Sequence, residues 1–339
     1  MQPQQTTEIV LKLPDLESLT PFNWAGCNPL YSPSKRESTE WMLSHGIFPD
    51  RRSDWLLATH PELLGAYVYP YADANGLRIA TDVLTILFAL DEVTDAQEEQ
   101  EALATRNTFV KALTGMSIDD TSPIAVFARD YMKRLSGVST ELLERLVSHF
   151  TAYMDATARE ASHRTDGKIP TLEDHIRLRR DNGGVLPAFD VIEVALGITL
   201  PPEVFNDRDL QSMVLAANDM ICYANDIFSY AKEYADGLDG CNTITILMHE
   251  RGLSHQDAID EVGKLYRRCA DMFLTCKAAM RSFGPEVDEV VSGYVYGIEQ
   301  WIAGHNAWNL ETRRFFTEQP DETRRNGIVK ITSHRKPFG

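Results

Sequence analysis

Three oxygen-bearing residues, Asn225, Ser229 and Glu233, recur at intervals of four in the string NDIFSYAKE. An α-helix turns about 100° per residue, so successive members lie roughly 40° apart and share one stripe. An amide oxygen, a hydroxyl and a carboxylate make a hard ligand set of low charge. That set suits Mg²⁺, which dehydrates reluctantly and pairs with substrate phosphates. Lys232, beside Glu233, offers a cation to the same anion. A polar face on an ordinary helix would read alike. The upstream run MVLAANDMICYAND is strongly apolar, however, so the stripe enters a buried surface.

A second acidic group, Asp91-Glu92-Val93-Thr94-Asp95, follows directly on the apolar run that ends at Leu90. Asp91 and Asp95 again fall roughly 40° apart on a helix. Two carboxylates at the mouth of a buried helix repel each other unless a cation or protons compensate. A solvated helix end continuing into Glu98, Glu99 and Glu101 is the competing reading. The third group is Arg179-Arg180-Asp181-Asn182-Gly183-Gly184. Paired glycines break a helical run, which exposes backbone carbonyls and amides beside an arginine able to grip diphosphate. A plain turn with surface arginines is its alternative. The fourth, WIAGHNAWNLETRRFF from Trp301 to Phe316, runs an aromatic helix into Arg313 and Arg314.

The elements that must hold these groups are helices. Residues 77–95 are apolar nearly all round before ending in acids, the pattern of a buried helix. Periodicity and capping predict further helices at about 96–115, 121–136 and 139–162, then 171–196 with an interruption. Others are predicted at about 202–233, 241–249, 254–282 and 285–311. Strand-like alternation is almost absent, so the fold class is all-α, a bundle with its site among the central helices. Prolines crowd the first 75 residues, where short helices and loops should alternate. With no repeat or long linker, residues 1–339 read as one domain. Residues 1–20 form an N-terminal extension, and 313–339 a basic loop or tail carrying Arg313, Arg314, Arg324, Arg325, Lys330, Arg335 and Lys336.

Composition narrows the partners. The 33 basic and 50 acidic residues give a net charge of −17, a surface that repels nucleic acid and anionic membranes. The apolar run Val83–Leu90 is too short to span a bilayer, and the N-terminus lacks the basic start and apolar core of a signal peptide. A cytoplasmic protein is expected, as monomer or homodimer. Five scattered cysteines without a CxxC pair argue against a disulfide framework or a thiolate zinc site.

In this order, the four groups resemble the class I terpene synthases, specifically the sesquiterpene cyclases of mushroom-type fungi. DEVTD is similar to that family's aspartate-rich motif in its DExxD form. NDIFSYAKE matches the NSE motif at every defining position, with Lys232 as the basic residue before the glutamate. Arg179, 46 residues before Asn225 (225 − 179), stands where the family places a diphosphate-sensing arginine. Asn182 and Gly183 match the positions that couple sensing to the helix break. Arg314 matches the arginine of the terminal RY pair, whose partner position holds Phe315 and so lacks the phenolic donor. The resemblance runs over roughly residues 20–316.

The resemblance implies a class I terpenoid synthase bundle with a small prenyl diphosphate as substrate. It implies three Mg²⁺ ions, held by Asp91, Asn225, Ser229 and Glu233 with Asp95 in an outer shell. Arg179, Lys232 and Arg314 would neutralise the diphosphate. Phe88, Trp301 and Trp308 are candidates for lining a cavity that stabilises a carbocation. Overall likeness leans to Δ6-protoilludene synthases, which close farnesyl diphosphate between its first and eleventh carbons through a humulyl cation. A prenyl chain-elongating transferase, another product skeleton and a non-enzymatic helical binding protein stand as alternatives.

Overall fold

The computed structural model of the protein describes residues 7–48, 57, 59–116, 118–166, 169–312, 314–315, 323 and 325–333. A strand β1, Thr7–Lys12, leads into α1 (Leu16–Leu19), α2 (Tyr31–Ser44), α3 (Pro61–Val68) and α4 (Ala74–Asp95). Helices α5 (Glu99–Leu113), α6 (Pro123–Arg134), α7 (Thr140–Asp166), α8 (Leu172–Asn182), α9 (Val185–Asp190) and α10 (Ile192–Leu196) follow. Then come α11 (Pro202–Phe205), α12 (Arg208–Asp236), α13 (Thr243–Arg251), α14 (His255–Ala279) and α15 (Pro285–Glu311), before the strand β2, Ile328–Ser333. The all-α expectation holds.

Local chemistry sets the two helices that matter most. Asp73 caps α4, its carboxylate accepting from Gly76 N at 2.7 Å, which satisfies a backbone donor that the first turn cannot. From Gly76 to Leu90 the helix is buried apart from Arg78 and Phe88, as the all-round apolar pattern requires. Asp207 caps α12, and Gly237, at φ +77°, ends it. That left-handed turn is where glycine escapes the Cβ penalty. The predicted 202–233 helix therefore divides at Asn206–Asp207, and the 171–196 stretch divides twice. One continuous apolar core extends from Leu11 to Ile331, with α4, α12 and α15 passing through it.

The ends differ from expectation. Residues 7–12 and 328–333, read as an extension and part of a loop, form an antiparallel ribbon with Thr7 opposite Ser333 and Lys12 opposite Ile328. Leu11, Val329 and Ile331 are buried beneath it while Val10 is exposed. β1 packs on α14, and β2 on α12. A lone two-stranded ribbon is marginal in water, and this apolar footing stabilises it. Six residues of alternation whose partner lies at the far end of the chain carry too little local signal. Arg313, Arg324, Arg335 and Lys336 lie outside the described residues. Lys330 pairs with Glu8 at 3.5 Å. All five cysteines are free thiols, and among the described residues no helix is long and apolar enough to cross a membrane.

Candidate active site

Asp91 emerges at the last turns of α4, where the helix leaves the core half-exposed to solvent. Arg314, just beyond α15, brings its Nη2 to 3.8 Å from Asp91 Oδ2. Its guanidinium also lies over the Phe88 ring at 5.1 Å and the Phe315 ring at 5.2 Å, so dispersion and the ring quadrupole hold the cation in place. Phe315 itself is buried edge-on to Trp308. Asp95, one turn further on, is exposed and stands outside the cavity that Asp91 lines.

The facing wall is α12. Arg179, from the last turn of α8, donates through Nη2 to Asn225 Oδ1 at 2.7 Å. Its Nε and Nη2 also reach Asp226 Oδ1 at 3.3 and 3.2 Å. The second oxygen of Asp226 accepts from the Thr243 amide at 3.0 Å and hydroxyl at 2.5 Å, with His175 Nε2 at 3.5 Å. Burial alone would raise this carboxyl, but Arg179, His175 and Thr243 hold it down to about 2. Asp226 is thus an ionised anchor for the arginine, sharing its Nη2 with Asn225.

Ser229, one turn past Asn225, is buried, and its hydroxyl makes no hydrogen bond of full geometry, although it lies close enough to ease ionisation of Glu233. Glu233 accepts from Asn242 Nδ2 at 3.0 Å. Burial and the nearby Asp226 charge raise its carboxyl. A half-satisfied hydroxyl and a carboxylate pushed towards protonation both gain from a cation. These oxygen donors fit a hard divalent ion. Lys232 turns along the helix to Asp236 at 3.0 Å; of the stripe only Asn225 lines the cavity, with Ser229, Lys232 and Glu233 beyond it along α12.

The break between α8 and α9 falls at Gly183–Gly184. A Cβ on Gly183 would sit 2.8 Å from Cys222 Sγ and 2.9 Å from the Arg179 carbonyl oxygen, so no side chain fits. Gly184 takes φ +67°, the left-handed region that favours glycine. Asn182 Oδ1 lies 3.5 Å from Arg179 Nη1, and its Nδ2 donates to Glu160 Oε2 at 2.7 Å.

A cavity of ≈ 680 Å³, counted to its open mouth, lies between these walls. Asp91, Arg179, Asn182, Gly183, Asn225 and Arg314 line it, and so do Phe88, Trp301 and Trp308. His305 stacks between the two tryptophans at 6.2 and 6.0 Å. Burial, with Arg314 and Arg179 nearby, lowers this imidazole to about 3. It stays neutral.

Residues 82–271, which contain both acidic walls and the helix break, match the family described as terpene synthase family 2, C-terminal metal binding. The chain belongs to that terpene synthase family. The synthase is 34% identical over 328 residues to the bifunctional terpene synthase Agr4 of Cyclocybe aegerita, covering 96% of this chain and 94% of that one. It is 33% identical to the alpha-muurolene synthase of Coprinopsis cinerea, over 96% of this chain and 78% of the other. Sesquiterpene synthase 1 of Postia placenta is 30% identical over 98% of each chain. The solved structure of hedycaryol synthase with HEPES shares the fold at a TM-score of 0.79 and 23% identity, over 89% of this chain and 99% of that one. The protein is a class I terpene synthase, a lyase.

Sequence reasoning did not single out several groups that the synthase brings to this place. Asp226 and Asn242 fix Arg179 and Glu233. Tyr153, Cys222 and His305 line the cavity, and Glu160 meets Asn182. One signal was available: Tyr153 and Glu160 are seven apart, two turns on one face of α7.

Proposed function

We propose that this synthase is a sesquiterpene cyclase that ionises farnesyl diphosphate with Mg²⁺, folds the cation in its cavity and releases diphosphate. One observation carries the reading: Arg179 grips Asn225 at 2.7 Å in a hollow whose other wall is Asp91 with Arg314 and whose lining is aromatic. The relatives named as sesquiterpene synthases support the substrate class. Asp91 with Asn225, Ser229 and Glu233, and Asp95 in an outer shell, would hold three Mg²⁺ ions, whose charge would make diphosphate a stable leaving group.

The chain's own residues do the rest. Arg179 and Arg314 neutralise the departing diphosphate, a stabilisation that grows as C–O heterolysis proceeds. Asn182 and Gly183 couple that grip to the helix break. Phe88, Trp301 and Trp308 present ring faces worth about 0.5–2 kcal/mol each to a cation. Groups that could trap the cation are occupied. Tyr153 donates to the Leu87 carbonyl at 3.2 Å. The Cys222 thiol is directed at the Arg179 carbonyl at 3.5 Å and is pushed up to about 12 by burial, so it carries no thiolate at neutral pH. Within this reading, overall likeness favours 1,11-closure through a humulyl cation to Δ6-protoilludene, in one catalytic domain working in the cytoplasm.

The test is incubation with farnesyl diphosphate and Mg²⁺, followed by gas chromatography–mass spectrometry. A cyclic hydrocarbon, Δ6-protoilludene, is expected. A product that requires isopentenyl diphosphate would replace cyclisation with chain elongation, and a different cyclic skeleton would overturn the product assignment alone.

A further inference from the structure

We propose that Glu160, outside every motif of the chain, is a positioning residue for the ionisation step, acting on Arg179 through the amide of Asn182. The inference rests on the cyclase reading and deepens it. Asn182 is buried and spans the gap between the arginine and the carboxylate: its Oδ1 lies 3.5 Å from Arg179 Nη1, and its Nδ2 lies 2.7 Å from Glu160 Oε2. The two neighbours dictate the amide's orientation, because a guanidinium only donates and a carboxylate only accepts. Turned over, the amide would face donor to donor and acceptor to acceptor. Glu160 therefore fixes which atom Asn182 presents to Arg179.

The other donors of Arg179 are already committed. Nε and Nη2 face Asp226 and Asn225 on α12, which leaves Nη1 towards Asn182. The fork is thus held from two sides, by α12 and by α7 through the amide. A guanidinium matches diphosphate only when its plane is set, so orientation matters as well as charge. Glu160 is also among the charges that keep Arg179 protonated against the cost of burial. Asn182 lines the cavity beside Gly183, so the same contact secures the helix break. A second tie, Arg159 Nη2 to Asp181 Oδ2 at 3.6 Å, joins α7 to α8 next to it.

The pairing has a chemical signature: amide at 182 and acid at 160 can exchange roles. In Asn182→Asp two carboxylates would oppose each other at hydrogen-bond distance. In Glu160→Gln two amides meet, and only the long 3.5 Å contact from Arg179 still selects the orientation of Asn182. In the double variant, Glu160→Gln with Asn182→Asp, the new carboxylate accepts from both Arg179 and the new amide.

The experiment compares wild type, both single variants and the double variant. It reads kcat and KM for pyrophosphate release from farnesyl diphosphate, calorimetric affinity for inorganic pyrophosphate with Mg²⁺, and folding by circular dichroism. Each single variant is expected to lose about tenfold in kcat and in pyrophosphate affinity, the scale of losing a supporting hydrogen bond. The double variant should return to within about threefold of wild type, a coupling that independent sites do not show. A Glu160→Gln protein within about twofold of wild type in both readouts overturns the proposal, as does a double variant no better than its worse parent. Glu160→Gln is isosteric and decides alone if Asn182→Asp does not fold. Should wild type bind pyrophosphate yet leave farnesyl diphosphate untouched, the substrate reading falls while the calorimetric arm still judges the relay. A wild type that does neither overturns both.

Discussion

Arg179 Nη2 stands 2.7 Å from Asn225 Oδ1, so the proposed diphosphate sensor and a proposed metal ligand are in direct contact. An amide oxygen has two lone pairs. Asn225 can therefore serve the arginine and a cation together, which links occupancy of one partner to the position of the other.

Arg179→Lys is expected to lower kcat by at least about tenfold, or ~1.4 kcal/mol, because an ammonium cannot span Asn225 and Asp226 as the fork does. Arg179→Ala should do more. It strands the buried Asp226 carboxylate, and removing one partner of a buried pair costs about 3–5 kcal/mol. Urea denaturation of the two variants separates these effects: the lysine variant should unfold near wild type and the alanine variant well before it.

Asn225→Ala and Glu233→Ala should each abolish most pyrophosphate release while leaving the helical circular dichroism spectrum intact. Both side chains lie along a helix whose caps and core contacts are elsewhere. Near-normal turnover in both would show that α12 does not carry the metal wall.

Gly183→Ala should destabilise the protein by about 1–3 kcal/mol, the usual range for overpacking. The added Cβ would press on Cys222 Sγ at 2.8 Å and on the Arg179 carbonyl at 2.9 Å. Cys222→Ala relieves only the first contact, so the double variant should recover part of the loss and no more. Full recovery of melting temperature and turnover would show that the backbone contact is unimportant.

Acid sensitivity follows from His305. Its folded-state value of about 3 lies below the ordinary 6.5, so between those pH values the unfolded chain takes up a proton that the native state refuses. Stability should fall on acidification by up to ~1.4 kcal/mol per pH unit from this group. Asp82 works the other way. Burial lifts its carboxyl to about 6 against the pull of Arg78 and Arg134. Its native state therefore holds the extra proton between 3.8 and 6, and acid favours folding there. Comparing His305→Gln with wild type from pH 6.5 to 4.5 isolates the imidazole: the variant's denaturation midpoint should fall less steeply. Parallel slopes would refute a neutral buried His305.

The helices were legible because their signals are local. The apolar run ending at Leu90 and the four-residue spacing of Asn225, Ser229 and Glu233 each sit within a few turns of one helix. The aromatic candidates Phe88, Trp301 and Trp308 were legible for the same reason, and all three line the cavity. What escaped depends on distance along the chain. Nothing near Glu160 announces Asn182, 22 positions on, and nothing near Asp226 announces Thr243. Lys232 shows the opposite failing of local reasoning: its neighbour Glu233 suggested one direction, while Asp236 one turn on holds it in another.

The ribbon that pairs Thr7 with Ser333 places the beginning and end of the described chain side by side. A covalent bridge of a few residues between them would then span almost no distance, and new termini could be opened in an exposed turn such as Gly115–Met116. A circularly rearranged enzyme of this kind should fold and keep its chemistry, whereas cutting away either strand alone would leave its partner's backbone donors and acceptors unpaired.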